Sequence, residues 1–232
     1  GPYNATDLIG DAPHVDVTVS AEGRNKDARA DDDVKASIHF HVDESLRDGG
    51  AWTNSADGWK YCYSDGYCAR SKYVTIDGST YYFNGDAVMA TGWVTFDAAW
   101  HWMTPSGRMA TGWTKVDGSW YYLDPATGAM ATGWVDVDGS WYYLNASGAM
   151  ATGWVNVNGS WYYLSGNGSM ATGWTAVNGK WYYLTSNGAM AIGWVNDGGT
   201  WYYLDGSGKM VTGWVSIDGK RYHFASSGAW LG

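Results

Sequence analysis

The residues of this sequence that could do chemistry are its aromatics. Tryptophan recurs at Trp93, Trp113, Trp134, Trp154, Trp174, Trp194 and Trp214, 20 or 21 residues apart and each preceded by glycine. Seven residues after these Gly-Trp pairs comes a second aromatic run, which reads Trp-Tyr-Tyr-Leu from positions 120, 141, 161, 181 and 201. Degenerate copies stand at Thr80-Tyr81-Tyr82-Phe83, Trp100-His101-Trp102 and Arg221-Tyr222-His223. Trp52 and Trp59 keep the same seven-residue offset, so the array starts near residue 51. Two Trp from one unit and a Tyr from the next can wall a pocket with three π faces and no carboxylate. That chemistry suits a quaternary ammonium, which has no N–H to donate but is drawn to ring quadrupoles. Two other uses stay open on spacing alone. The rings can stack as core between units, or they can serve as flat platforms for a sugar.

The elements that must position these rings are β-hairpins. Asn158-Gly159, Asp117-Gly118 and Asp138-Gly139 are dipeptides that accept the left-handed backbone of a two-residue type I′ turn. A turn at Asn158-Gly159 sets Asn156 opposite Trp161 and Trp154 opposite Tyr163. Alternation then places Trp154, Asn156, Trp161 and Tyr163 on one face, with Val155, Val157, Tyr162 and Leu164 on the other. On this reading the first Tyr of each pair (Tyr121, Tyr142, Tyr162, Tyr182, Tyr202) faces away from the Trp and belongs to packing. A second turn is expected at Asn167-Gly168, followed by Met170. Asp124-Pro125 lengthens one linker, where the period becomes 21. A single hairpin is marginal in water, whereas stacked copies bury one another. The expected fold is all-β, a β-solenoid of stacked hairpins of about 20 residues over 51–232. Residues 1–50 form a small N-terminal β element or the remnant of a preceding domain, with strand-like alternation at His14–Val19 and Ile38–Val42 around the charged stretch Arg24–Asp33.

Composition narrows the function classes. The chain has 17 Trp and 18 Tyr against 4 Phe, so it must bury aromatics in place of the usual aliphatics or keep them exposed for a purpose. Net charge is −9, and residues 1–50 hold 11 acids against 5 bases. An acidic chain without a basic stripe argues against nucleic acid and against anionic membrane surfaces, and suits a cationic ligand. No apolar run is long enough to insert in a bilayer. The opening Gly1-Pro2 reads as a protease scar, with a leader expected to have been removed. Cys62 and Cys68 flank the Ser64-Asp65-Gly66 turn. That spacing suits a disulfide and an extracellular compartment, with two buried thiols as the alternative.

Catalysis finds no support in the motifs. There is no Gly-rich phosphate loop, zinc pattern or nucleophile elbow. His39 and His41 share a strand face with Asp43 nearby, an arrangement better read as a solvated face than as a metal pair. Asp117, Asp138 and Asp218 sit where turns want them. No catalytic residue, metal or cofactor is therefore expected.

The pattern Thr-Gly-Trp-x6-Trp-Tyr-Tyr-Leu-x5-Met-Ala-Thr-Gly-Trp resembles the choline-binding (cell-wall-binding) repeats of Gram-positive bacterial surface proteins and of their phages. The match is close over 93–214 and looser over about 51–232. The resemblance implies a left-handed solenoid. Its sites would lie between consecutive hairpins and hold the choline of phosphocholine on teichoic or lipoteichoic acid. It also implies a secreted, wall-associated and non-enzymatic protein, and admits a homodimer through the C-terminal hairpin. Carried over by position, each site takes both Trp of one repeat and the second Tyr of the next. The triplets are then Trp93, Trp100 and Tyr122; Trp113, Trp120 and Tyr143; Trp134, Trp141 and Tyr163; Trp154, Trp161 and Tyr183; and Trp174, Trp181 and Tyr203. Trp52, Trp59 and Tyr82 fit with Ala51 replacing the glycine. Trp194 and Trp201 would be closed by His223, which can become cationic at low pH and repel choline. Tyr73, Thr80 and Trp102 lack a wall. Related repeats that bind glucans tend toward Tyr-Tyr-Phe, as in Tyr81-Tyr82-Phe83, and most repeats here keep Trp.

Overall fold

A computed structural model describes the strands Val15–Ser20 and Ser37–Val42 and the whole of residues 49–232. The charged stretch Arg24–Asp33 and the side chains of His39, His41 and Asp43 lie outside the described residues. Val15–Ser20 and Ser37–Val42 pair antiparallel, with Val17 opposite Phe40. Among the described residues every regular element is a β-strand, and every sheet is a two-stranded antiparallel hairpin. Two compact units divide the chain, Gly1–Ala90 and Thr91–Gly232.

Each hairpin is set by its turn. In the hairpin of Gly153–Val157 and Ser160–Leu164, Trp154 faces Tyr163 and Asn156 faces Trp161. Asn158 and Gly159 both take positive φ, 51° and 86°, the pair of angles a type I′ turn requires. The same register recurs in every hairpin from 51 to 224.

The linkers are as ordered as the strands. After Leu164 the chain turns at 165–168, where Gly168 N–H donates to the Ser165 carbonyl (2.8 Å), and returns so that Met170 bridges Leu164. Met170 N–H then reaches past its own hairpin to the Trp141 carbonyl of the preceding one (2.8 Å). Within Thr91–Gly232 the same tie runs from Met130 to Trp100, Met150 to Trp120, Met190 to Trp161 and Met210 to Trp181. Where the period lengthens, the Asp124 carboxylate caps the larger loop by accepting from the Ala126 and Thr127 N–H groups and the Thr127 hydroxyl.

The core is correspondingly narrow. In Thr91–Gly232 it is a column of one fully buried residue per repeat, Met103, Leu123, Leu144, Leu164, Leu184, Leu204 and Phe224, each ending its hairpin. In Gly1–Ala90, Phe83 holds this place beside Ala69, Ile76 and Tyr81. Cys62 and Cys68 bridge at the slots that Leu and Met fill in other repeats, and their sulfurs are bonded. The disulfide thus replaces the first repeat's apolar pair with a covalent one.

From Gly128 onward the left-handed glycine of each linker turn carries a double constraint. Gly168 has φ of 87°, and a Cβ there would overlap the Met150 Sδ of the preceding repeat. Gly159 has a similar φ of 86° but open space around it. Gly159→Ala should therefore cost about 1 kcal/mol from backbone strain alone. Gly168→Ala should add overpacking of about 1–3 kcal/mol. Urea denaturation of the two variants checks the ranking, and equal losses would remove the Met contact from this account.

Candidate functional site

Front-to-back stacking builds the site. A hairpin with two Trp in the repeat slots carries both on one face, and within each unit that face meets the opposite face of the following hairpin. In the hairpin of Gly92–Phe96 and Ala99–Met103, Trp93 and Trp100 stand nearly perpendicular, centroids 6.5 Å apart at 87°. The following hairpin presents Tyr121, whose ring lies 4.9 Å from Trp93 at 66°. The contact recurs as Trp113–Tyr142 (4.8 Å), Trp134–Tyr162 (4.9 Å), Trp154–Tyr182 (4.8 Å) and Trp174–Tyr202 (4.7 Å). In Gly1–Ala90, Trp52 meets Trp59 and Tyr81 in the same way, at 6.4 and 4.9 Å.

These rings enclose cavities that reach into a third repeat. Trp93, Trp100, Tyr121 and Met130 line one of about 360 Å³, with Ala146 and Ser147 from the next linker turn. Trp154, Trp161, Tyr182 and Met190 line another of about 390 Å³, with Gly206 and Ser207. Trp174, Trp181, Tyr202 and Met210 line a third of about 280 Å³, with Ser227. The backbone tie from each Met to the second Trp carbonyl brings the Met side chain to the cage. The second Trp stays wet: Trp100 keeps 49% and Trp161 46% of its surface, which a purely structural core would not leave. No carboxylate lines any of the three cavities. Among the described residues, no group of three His, Cys, Asp or Glu could hold a metal ion.

Comparison with protein families gives a matching account. A choline-binding repeat matches residues 90–133, 131–172 and 171–212, and a cell wall binding repeat matches 71–86 and 212–229. The chain belongs to the choline-binding repeat family. Among solved structures it is similar to CbpJ from Streptococcus pneumoniae TIGR4, at 41% identity over 75% of this chain and 70% of that one, TM-score 0.69. Choline binding protein F of S. pneumoniae, solved in the presence of a peptidoglycan analogue, is 40% identical over 75% and 69%, TM-score 0.66. The choline-binding domain of CbpL from the same species is 33% identical over 78% and 96%, TM-score 0.57. Comparison with curated proteins gives no match. A homodimer through the C-terminal hairpin gains no support from these relatives.

Within these choline-binding repeats the two tyrosines of each pair lie on the faces that alternation gives them, and they meet different Trp. Tyr122, Tyr143, Tyr163, Tyr183 and Tyr203 lie on the Trp face of their own hairpins, 5.1–5.3 Å from Trp113, Trp134, Trp154, Trp174 and Trp194. Tyr82 likewise meets Tyr73. The ring that meets the first Trp of a repeat from the following hairpin is the first Tyr of that hairpin. The reason is geometric. A hairpin stacked on the Trp face of its predecessor offers its own back, and the first Tyr is the aromatic on that back. The same logic moves His223. It stacks flat on Trp214 at 4.4 Å, while Tyr222, at 5.0 Å, is the ring that meets Trp194. Trp230 adds a further ring to that last cage, 5.7 Å from Trp194. In the hairpin of Gly213–Ile217 and Lys220–Phe224 the Arg221 guanidinium lies 4.9 Å over the Trp214 ring.

His101 takes the first-Tyr slot in its repeat and is buried, 5% exposed. Burial holds its imidazole below the ordinary value of 6.5, with the Gly128 and Phe96 carbonyls partly opposing this. Above 6.5 folded and unfolded chains are both neutral here. As pH falls below 6.5 the unfolded chain takes up the proton first, so stability declines until the lowered folded value is reached. His101→Tyr, restoring the repeat residue, should flatten the change in Tm between pH 7 and pH 5.5 measured by calorimetry. A separate pair of variants tests which tyrosine closes the cage. Tyr182→Leu should weaken ligand binding at the Trp154 cage several-fold in titration calorimetry. Tyr183→Leu should leave that cage's affinity unchanged.

Proposed function

We propose that the array from about residue 51 to 232 is a non-enzymatic module that holds choline groups of the bacterial wall. The observation that carries this is the cage of two Trp, one Tyr and one Met, free of carboxylates, open at the second Trp and about 360–390 Å³ where largest. A quaternary ammonium fits such a site because it needs no acceptor and gains from every ring face. One cation–π contact contributes about 0.5–2 kcal/mol, so three give roughly millimolar to micromolar affinity. The cages involved are Trp93–Trp100–Tyr121, Trp113–Trp120–Tyr142, Trp134–Trp141–Tyr162, Trp154–Trp161–Tyr182 and Trp174–Trp181–Tyr202, joined by Trp52–Trp59–Tyr81 and Trp194–Trp201–Tyr222. Weak single sites at a fixed period acquire avidity for a polymer that carries many copies of the ligand. Phosphocholine on teichoic or lipoteichoic acid is such a polymer. The relative solved with a peptidoglycan analogue supports a wall partner. The Cys62–Cys68 disulfide suits an extracellular location.

Titration with choline while Trp fluorescence is followed tests the reading, and a saturable change is expected below tens of millimolar. A response to glucans together with indifference to choline would place the array among carbohydrate binders. Trp154→Ala should abolish one cage and leave distant cages titrating as before, since contacts in a stack are between neighbours.

A further inference from the structure

The cages are not chemically equal, and at one of them a carboxylate is hydrogen-bonded to a Trp of the cage. The last residue of each hairpin's first strand lies on the back face, which stacks on the preceding hairpin. Where a hairpin has a predecessor in its own unit, that position is occupied by Ile76 in Gly1–Ala90 and by Val116, Val137, Val157, Val177 and Ile217 in Thr91–Gly232. Ile76, Val116, Val177 and Ile217 are buried. Val177, with Tyr182 and Leu184, packs against Trp154 of the hairpin before it. At the equivalent place in the next repeat stands Asp197. Its carboxylate Oδ2 accepts a hydrogen bond from Trp174 Nε1 at 3.0 Å, across 23 residues of sequence. Where its neighbours have an aliphatic group against the indole, this cage has an anion.

Turn geometry does not account for the acid. The left-handed positions of this hairpin are Gly198 and Gly199, with φ of 58° and 87°, and Asp197 precedes them in the strand. Nor does burial account for it, because Asp197 is exposed where Val177 is buried. What the substitution changes is Trp174. That ring is a wall of the cavity formed with Trp181, Tyr202 and Met210.

We propose that Asp197 is a specificity-determining residue of the Trp174–Trp181–Tyr202 cage, making it favour a cation over a neutral ligand of the same shape more strongly than the other cages do. Two effects act together. The charge-assisted bond fixes the indole and pushes electron density into the face that meets the ligand. The carboxylate also sits behind the ring, near enough that its charge is felt by a cation held within about 6 Å of the ring centroid. Because it stays outside the cavity lining, it attracts without competing for the ligand's methyl groups. The inference rests on the reading of the cages as quaternary-ammonium sites.

The experiment is a titration of the full chain followed by the indole N–H resonances in ¹H–¹⁵N spectra, with Trp174 and Trp154 assigned by Phe substitution. The probes are choline and 3,3-dimethylbutan-1-ol, which has the same shape with carbon in place of the charged nitrogen. In the parent protein the Trp174 resonance should saturate at lower choline than that of Trp154. Asp197→Asn keeps an acceptor and removes the charge, while Asp197→Val restores the repeat residue. Both should raise the choline midpoint at Trp174 by roughly three- to tenfold and leave Trp154 unmoved. Neither should change the midpoint for the neutral alcohol. An unchanged choline midpoint at Trp174 in both variants overturns the proposal. So does an equal loss for choline and the alcohol, which would make Asp197 a packing residue. If no indole resonance responds to choline, the reading of the cages themselves fails, and that result is distinct from the other two.

Discussion

The structure depends on one contact, the edge-to-face packing of a Trp on one hairpin against the first Tyr of the next, held between 4.7 and 5.0 Å along the Thr91–Gly232 unit. A two-stranded sheet has one pair of strands and little apolar surface of its own, so each hairpin is stable only when its neighbour covers it. Here the covering group is an aromatic ring, and aromatic pairs of this geometry add directional attraction to their buried area. The same ring is a wall of the cage. On the proposed reading stability and binding draw on the same side chains, and a repeat that stacks correctly has already built its cage.

The backbone makes this contact reproducible. Met130, Met150, Met170, Met190 and Met210 are each tied by the N–H to the second Trp carbonyl of the preceding hairpin, and each side chain rests under a glycine of the following linker turn. Three successive repeats are thereby locked in register by one residue. This is why the variable residues fall on the strands' exposed positions, while Gly, Met and the closing Leu keep the period. Two repeats show the same rule by exception. In the repeat of Ala51–Cys68 a disulfide stands for the Leu–Met pair, and in the repeat of Gly213–Trp230 the Arg221 guanidinium covers the Trp214 ring.

Within this uniform frame, the residues around each cage vary and give the cages different fields. Lys115 faces Trp120 across the ladder and its ammonium lies 5.8 Å over that ring, whereas Asp136 and Asn156 hold the equivalent places opposite Trp141 and Trp161. A multivalent polymer would meet a graded row of sites along such an array rather than identical ones.

The sequence by itself determined the hairpins. Turn dipeptides such as Asn158-Gly159 fix a two-residue loop, the loop fixes the register, and alternation then decides which side chains share a face, all within about a dozen residues. It also determined the period and which two Trp share a face, because both lie on one hairpin. What it did not determine was the partner across the stack. The first and second Tyr are adjacent in sequence and recur with the same period, so neither spacing nor composition distinguishes the one that closes the cage. That choice depends on which face of one hairpin meets which face of the next, a contact between residues 28 apart such as Trp154 and Tyr182. The Trp174–Asp197 bond is hidden for the same reason. Local chain geometry settles what a hairpin presents, and only the stacking of faces, driven by burial of rings that no single hairpin can cover, settles what they are presented to.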